Sequence, residues 1–250
     1  MKQLRRLAVL SRYSLHALDG DIGQIRQVYF DDRDWQVRYF VVRTGNWLLG
    51  RDVLLPPDVF ASVDDEQQRI EVELKREQIQ DAPPVDDQMP ISRHYEHELF
   101  VHYDWKPYWD GDPLLGLGST VHPPAEGESL REPANPHLRA SEEVEGYRIR
   151  TRDGSVGEVR DFLVQDHDWK IRYLDVVTGN WFFGREVLIA CAWLETIDWT
   201  TRNVVTVLTR EAIENAPRYK AGELISREYE IALYKHYGQD YTENDKSGCT

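Results

Sequence analysis

Four arginines, separated in pairs by the same 134 positions, are the first candidates for binding chemistry: Arg38, Arg51, Arg172 and Arg185. A guanidinium group binds a carboxylate or a phosphate through two parallel hydrogen bonds, so these side chains could hold an anionic ligand. The alternative is a structural role, in which they pair with the recurring aspartates Asp19, Asp34, Asp153 and Asp168. We favour the structural role, because an arginine present in both halves is what a requirement of the fold would produce.

Two further sets of side chains have the chemistry of metal ligands. The first is a carboxylate set, Asp31, Asp32, Asp34, Asp166 and Asp168, and the second is a histidine set, His94, His97, His102 and His236. The aspartates lack the glycine and the distal glutamate of an EF-hand. The histidines offer two imidazoles on one helix face but no third ligand. We therefore predict a solvated turn and surface or interface histidines, and expect neither a metal nor a cofactor.

Tryptophans and nucleophiles complete the search for chemistry. The tryptophans Trp35, Trp47, Trp169 and Trp181 could form an aromatic recognition patch, but we favour packing, because tryptophan buries a large area with one donor to satisfy. No serine, cysteine or lysine stands in a nucleophile-and-base arrangement, and no glycine-rich phosphate loop is present. The sequence predicts no catalytic residue, and we expect that the protein is not an enzyme.

The candidate residues lie in a segment that occurs twice. Residues 19–55 recur without a gap at residues 153–189, and half of the positions are identical. The longest shared run is residues 44–47, repeated at residues 178–181. A repeat of this length, present only twice, indicates a duplicated domain and excludes a solenoid, whose units are shorter and more numerous.

Composition limits the partners. The chain has 250 residues, of which 41% are hydrophobic and 30% charged, as in a soluble protein with room for two cores. Its formal charge of -14 disfavours nucleic acid, because nonspecific affinity for nucleic acid comes from Lys and Arg that displace counterions. We expect no nucleic-acid partner.

The cysteines and the first residues indicate a compartment. Cys191 and Cys249 are not equivalent under the repeat, so neither a disulfide framework nor a metal site is indicated. The apolar run at residues 7–10 is halted by Ser11 and Arg12 and is too short for a signal peptide or a membrane span. We expect a cytoplasmic protein without direct membrane insertion.

Each copy of the repeat has the pattern of a small β-structure. Short runs rich in β-branched residues alternate with Asp, Gly and Asn, which is typical of a small antiparallel sheet or barrel. Residues 31–34 read as a hairpin connection. Gly45 and Gly179 are expected in turns that disfavour a Cβ.

A helical tail follows each copy. Ser92 and Ser226 can cap these helices, and Thr209 a shorter one. Apolar residues recur every fourth position in both tails, at Ile91, Tyr95, Leu99, Tyr103, Ile225, Tyr229, Leu233 and Tyr237. An amphipathic helix of about 12 residues is not stable alone. We therefore expect both stripes to be buried, either between the two halves or in a homodimer.

The predicted fold class is mainly β with short helices: two tandem small antiparallel barrels, each followed by a helical tail. The domain boundaries are residues 1–103 for the first unit, 104–140 for a linker rich in proline and aromatics, 141–239 for the second unit and 240–250 for a frayed terminus.

The repeated motifs resemble the PRC-barrel family, which includes the cytoplasmic part of the photosynthetic reaction-centre H subunit. The residues that carry the resemblance are Asp19, Gly20, Gly23, Asp34, Trp35, Arg38, Tyr39, residues 44–48, Gly50, Arg51 and residues 53–56. It spans residues 12–83 and 146–217. The resemblance implies a barrel that serves assembly or docking and has no shared catalytic residue.

Three classes of function remain open on the sequence. The leading hypothesis is a non-catalytic protein-interaction or assembly module that self-associates or binds a protein partner of unknown identity. The second, by resemblance, is an accessory subunit of a photosynthetic or other membrane electron-transfer complex. The third is an uncharacterised enzyme, which a cleft with converging ionisable groups would favour.

Overall fold

Short strands dominate both halves of the computed structural model, which describes residues 3–85, 91–108, 135–179 and 184–241. The elements of the first half are β1 (Leu4–Arg6), α1 (Leu7–Leu10), β2 (Ser14–Ala17), β3 (Gly20–Asp31), β4 (Val37–Thr44), β5 (Asp52–Leu55), β6 (Phe60–Asp64), β7 (Arg69–Val72), α2 (Arg76–Gln80) and α3 (Arg93–Tyr103). Those of the second are β8 (Leu138–Ala140), α4 (Ser141–Val144), β9 (Arg148–Thr151), β10 (Gly154–Gln165), β11 (Ile171–Thr178), β12 (Arg185–Ala190), β13 (Leu194–Asp198), β14 (Asn203–Thr206), α5 (Arg210–Glu214) and α6 (Arg227–His236).

The predicted fold class is confirmed, with two seven-stranded sheets and a few short helices. One sheet has the order β5-β4-β3-β2-β7-β6 and the other the order β12-β11-β10-β9-β14-β13. Neither order closes on itself within the described residues, so the units are barrel-like and not closed barrels. One pair in each sheet is parallel, β2 with β7 and β9 with β14, which differs from the purely antiparallel expectation. The two strands of each such pair are joined by intervening strands and not by a hairpin.

The first strand of each half belongs to the sheet of the other half. Strand β1 pairs with β10, with Leu4 opposite Gln165, and β8 pairs with β3, with Leu138 opposite Asp31. The helices that follow make the same exchange, since α1 contacts β10 and α4 contacts β3. We call β1 with α1, and β8 with α4, the two exchanged arms. Strand β8 lies in the stretch that the sequence assigned to the linker, because its partner strand is more than a hundred residues away and leaves no local signal.

The two halves also meet at the turns that follow the long strands β3 and β10. Gln36 and Lys170 form an isolated antiparallel bridge. The nitrogen of Val37 donates to the oxygen of Trp169 over 3.1 Å, and that of Ile171 donates to the oxygen of Trp35 over 2.9 Å. Buried residues of both halves form one continuous core across this contact.

Helix α3 covers the outer face of its own sheet. Strand β4 is buried on both sides, because its alternate residues face opposite ways. Tyr39 and Val41 join Ile91 and Leu99 in an outer cluster, whereas Phe40 belongs to the main core. None of the helices in the described segments is long and apolar enough to cross a bilayer.

The backbone requires glycine at only one of the two positions that the sequence predicted. Gly179 has a φ of +87°, but Gly45 has an ordinary φ of −71°, so that prediction was wrong for Gly45. The demanding pair is Gly23, with a φ of +139°, and its equivalent Gly157, with a φ of +64°. A Cβ on Gly23 would overlap the backbone of Arg43, because the two neighbouring strands approach closely there.

Candidate functional site

The paired arginines divide into two structural roles. Arg38 binds Asp34 over 2.6 Å, and Arg172 binds Asp168 over 2.5 Å, each within its own half. This is the internal pairing that the sequence favoured. These side chains therefore brace the turns that carry the central contact between the halves.

Arg51 and Arg185 do not pair with the repeated aspartates, which corrects that part of the prediction. Arg51 donates to the oxygen of Ala82 over 2.9 Å, and Arg185 donates to the oxygen of Ala216 over 2.9 Å. These carbonyls follow the short helices α2 and α5, whose last carbonyl groups have no partner within the helix. Asp19 accepts a hydrogen bond from the backbone nitrogen of Arg76. Its equivalent Asp153 accepts one from the backbone nitrogen of Arg210.

The tryptophans are structural wherever they are described. Trp35 and Trp169 are buried, with exposed fractions of 8% and 6%. Trp47 is half-buried and donates its indole hydrogen to the oxygen of Ile22 over 2.9 Å. Trp181 lies outside the described residues. The aromatic side chains that the repeat shares are therefore used for packing and hairpin support.

The aspartate turn holds the exchanged arms. Asp32 binds His137 over 2.9 Å and Arg139 over 3.2 Å on one arm. Its equivalent Asp166 binds Arg5 of the other arm over 3.1 Å. Within the described residues no group of three His, Cys, Asp or Glu side chains could hold a metal ion.

The tail histidines contact protein groups. His102 lies 2.8 Å from the oxygen of Gln78, and His236 lies 2.7 Å from the oxygen of Ala212. His94 lies 3.3 Å from Glu98 on the same helix. His97 is half-buried on the helix that carries His94. The four histidines are thus divided between two separate helices.

The helical stripes pack in equivalent ways. Ile91, Leu99, Leu233 and Tyr237 are buried, and Tyr95, Tyr103, Ile225 and Tyr229 are half-buried. The hydroxyl of Tyr95 donates to the oxygen of Pro83 over 3.0 Å, and that of Tyr229 to the oxygen of Pro217 over 3.1 Å. Ser92, Ser226 and Thr209 cap their helices as predicted. The stripes thus find their partner surface on the sheet that precedes them.

Each tail helix carries a carboxylate that accepts a hydrogen bond from a tyrosine of the sheet, which sequence reasoning did not predict. Glu96 is fully buried and accepts hydrogen bonds from Tyr39 over 3.0 Å and from Tyr108 over 2.8 Å. Burial raises the pKa of Glu96, although these hydrogen bonds oppose the shift. Its equivalent Glu230 accepts from Tyr173 over 2.8 Å. The sequence signal that could have indicated these glutamates is their spacing, since each lies four residues before an aromatic residue, Phe100 or Tyr234.

A second buried charge cluster occurs in one half only. Arg6 of the exchanged arm contacts Asp161 and Asp175, each over 2.8 Å. Burial raises the pKa of Asp175 to about 7, while Arg6 lowers it and nearby carboxylates raise it further. The first half has Gln27 and Val41 at the two carboxylate positions.

A cleft of about 930 Å³ lies where both halves meet. Its walls are residues 32–35 of the first half, the arm around Arg139, strand β13, and the start of helix α6. Five Arg or Lys side chains, one histidine and four acidic side chains line it. Converging charged and apolar groups in a concave space of this size are typical of a binding site.

One comparison with known proteins bears on this architecture. Residues 17–79 match the PRC-barrel domain. The matched segment runs from the end of β2 into helix α2, so it contains the central strands of the first sheet. No curated protein matches the chain. The second half repeats the order of strands of this PRC-barrel segment, element by element and 134 residues later.

Proposed function

We propose that the protein is a non-catalytic interaction module, in which two interlocked PRC-barrel-like halves present one rigid surface to a protein partner. The reciprocal exchange of arms is the observation that carries the proposal. It joins the halves by strand pairing on both sides, and so fixes the position of one sheet relative to the other.

Apolar burial strengthens the interlock. Leu10 and Val144 occupy equivalent positions in the two arms, and neither side chain is exposed. Burying one such side chain contributes on the order of 2 kcal/mol. Flexible association of two separate domains would need no such exchange, so the arrangement supports a role that depends on fixed geometry.

The fate of the repeated residues supports a non-catalytic role. Arg38 and Arg172 brace turns, Arg51 and Arg185 satisfy helix carbonyls, and Trp47 supports a hairpin. The residues that the two halves share are therefore the residues that maintain the fold. A site that acts on a partner must come from what differs between the halves or from the surface that they form together.

The test is capture of partners with the intact chain as bait in an extract of the native host, with cross-linking mass spectrometry. The identified partner is then purified and mixed with the chain. We expect a stoichiometric complex with a dissociation constant in the micromolar range or below. Partners that are membrane electron-transfer proteins would define the accessory-subunit role within the same proposal.

Matched variants connect binding to the interlock. Leu10→Ala with Val144→Ala loosens both arms, whereas Ile70→Ala with Val204→Ala opens comparable cavities inside the two sheets; all four side chains have no exposed surface. We expect only the arm variant to weaken the complex, by about tenfold, at a temperature where both remain folded. Equal loss in both variants, or substrate turnover by the purified chain, would count against the proposal.

A further inference from the structure

We propose that the cleft at the junction binds a small organic anion with an apolar or aromatic body. This ligand site goes beyond the interaction role, because it concerns a small molecule and not a protein partner. The volume, about 930 Å³, is within the range of small-molecule sites.

The duplication supplies an internal comparison of charge. Four cleft positions carry a more positive residue than their equivalents in the first half: Gln165 for Asp31, Lys170 for Gln36, Ala192 for Asp58 and Trp199 for Asp65. Two positions change in the opposite sense, with Glu195 for Ala61 and Pro136 for Lys2. The second half has thus become locally more positive in a chain of formal charge -14. Such a change favours a negatively charged ligand.

The exchange of Asp65 for Trp199 changes the surroundings of an arginine. On the first arm, Arg5 forms ion pairs with both Asp65 and Asp166. In the equivalent place Arg139 keeps one carboxylate and stacks on the ring of Trp199 at 3.8 Å. An aromatic face neutralises less of the guanidinium charge than a second carboxylate would.

The exchange of Asp31 for Gln165 has the same effect on a second arginine. Arg38 lies near two carboxylates, Asp34 at 2.6 Å and Asp31 at 3.6 Å. Its counterpart Arg172 keeps Asp168 but meets the neutral amide of Gln165 over 3.0 Å. Each exchange replaces a charged partner by a neutral one, and both arginines line the cleft.

Lys170 adds a cation that the first half lacks. Its backbone nitrogen donates to Asp168, and its ammonium group has no ion pair or hydrogen bond with any residue that the structure describes. The residue is half-buried and lines the cleft. A compact ammonium in a cleft that arginines also line is suited to the head of a carboxylate or phosphate ligand.

Apolar side chains also line the cleft, and two of them are smaller than their equivalents in the first half. Ala190 stands for Pro56, and Leu194 stands for Phe60, whose ring packs 4.4 Å from that of Phe40. Leu4 adds to the apolar lining. A small inorganic anion would leave these apolar surfaces in contact with water. The geometry therefore favours an anion attached to an apolar ring or chain.

Isothermal titration calorimetry of the full chain tests the proposal with three probes that share a naphthalene ring system. Naphthalene-2-carboxylate and 2-naphthyl phosphate carry the two anionic heads, and naphthalene-2-carboxamide is neutral. We expect at least one anion to bind at submillimolar concentration and about tenfold more tightly than the amide. The preferred anion then distinguishes a carboxylate from a phosphate ligand.

Two variants restore residues of the first half. Lys170→Gln introduces the residue found at Gln36, and Ala192→Asp introduces that found at Asp58, at an exposed position. We expect each to weaken the anion by about fivefold or more and to leave the amide unchanged. Lys235→Gln removes an exposed charge outside the cleft and is expected to have no effect.

Three results would overturn the proposal. They are no binding of either anion at millimolar concentration, equal binding of the amide, and full affinity in Lys170→Gln. Circular dichroism of each variant verifies the fold, and both substituted side chains lie outside the buried core, so loss of binding reports on the cleft.

Discussion

Asp161 and Asp175 lie directly opposite each other on adjacent antiparallel strands, buried beneath an arm that comes from the other half of the chain. Like charges in this position repel each other. Arg6 contacts both carboxylates and links their protonation to the docking of its arm. The pair titrates as a unit, since each carboxylate feels the charge of the other.

The stability of the fold is therefore expected to depend on pH near neutrality. Because burial raises the pKa of Asp175 to about 7, the folded chain holds a proton that the unfolded chain releases above about pH 4. The free energy of unfolding should then fall from about pH 4 to 7 and level off above. Urea unfolding at half-unit pH steps measures it.

Asp175→Asn is the matched variant for this pH dependence. It removes the titrating group, so the decline between about pH 4 and 7 should flatten, and the variant should be the more stable of the two by about 2 kcal/mol at pH 8. Parallel curves for parent and variant over this range would show that Asp175 is not the group responsible.

Removing the positive charge of Arg6 should lower the free energy of unfolding. Arg6→Met leaves two buried carboxylates without their partner, and we expect a loss of about 3 kcal/mol or more at pH 8. Arg12→Met removes an exposed arginine of the same segment and should change stability by less than about 0.5 kcal/mol. Equal midpoints in chemical denaturation would mean that Arg6 does not hold the arm.

Two glycines give a test of the backbone. Gly23→Ala should destabilise by about 3 kcal/mol or more, because its φ is +139° and its Cβ would overlap Arg43. Gly45→Ala should cost less than about 1 kcal/mol, since φ is ordinary and the nearest side-chain atom, on Trp47, is 3.8 Å away. Thermal unfolding distinguishes them, and similar losses would contradict the close approach of Gly23 to Arg43.

The tail stripe is expected to act within the chain. Leu99 has no exposed surface, so Leu99→Ala should cost about 3 kcal/mol and leave the sedimentation mass unchanged. Val101→Ala on the same helix, where 68% of the residue is exposed, is the control and should be neutral. A change in mass at full stability would instead place the stripe in a contact between chains.

Local patterns were sufficient for much of the fold and for part of the candidate site. Ser92 and Ser226 cap helices because a hydroxyl before an apolar run satisfies the first free nitrogens. Arg38 meets Asp34 because the two are close in sequence across one turn. The duplication itself required two similar sheets.

The sequence by itself determined the strands inside the repeat, the caps and the duplication, whereas the tertiary structure decided where the arm strands pair and where a cleft opens. Strands β3 and β10 have related sequences and offer similar edges to β1, so no local pattern selects between them. The choice depends on the packing of α1 and on Arg6, whose partners Asp161 and Asp175 are more than 150 residues away. The cleft needed residues 32–35 of the first half to meet Lys170, Ala192 and Trp199 of the second, and only the packing of the two halves brings such distant residues together.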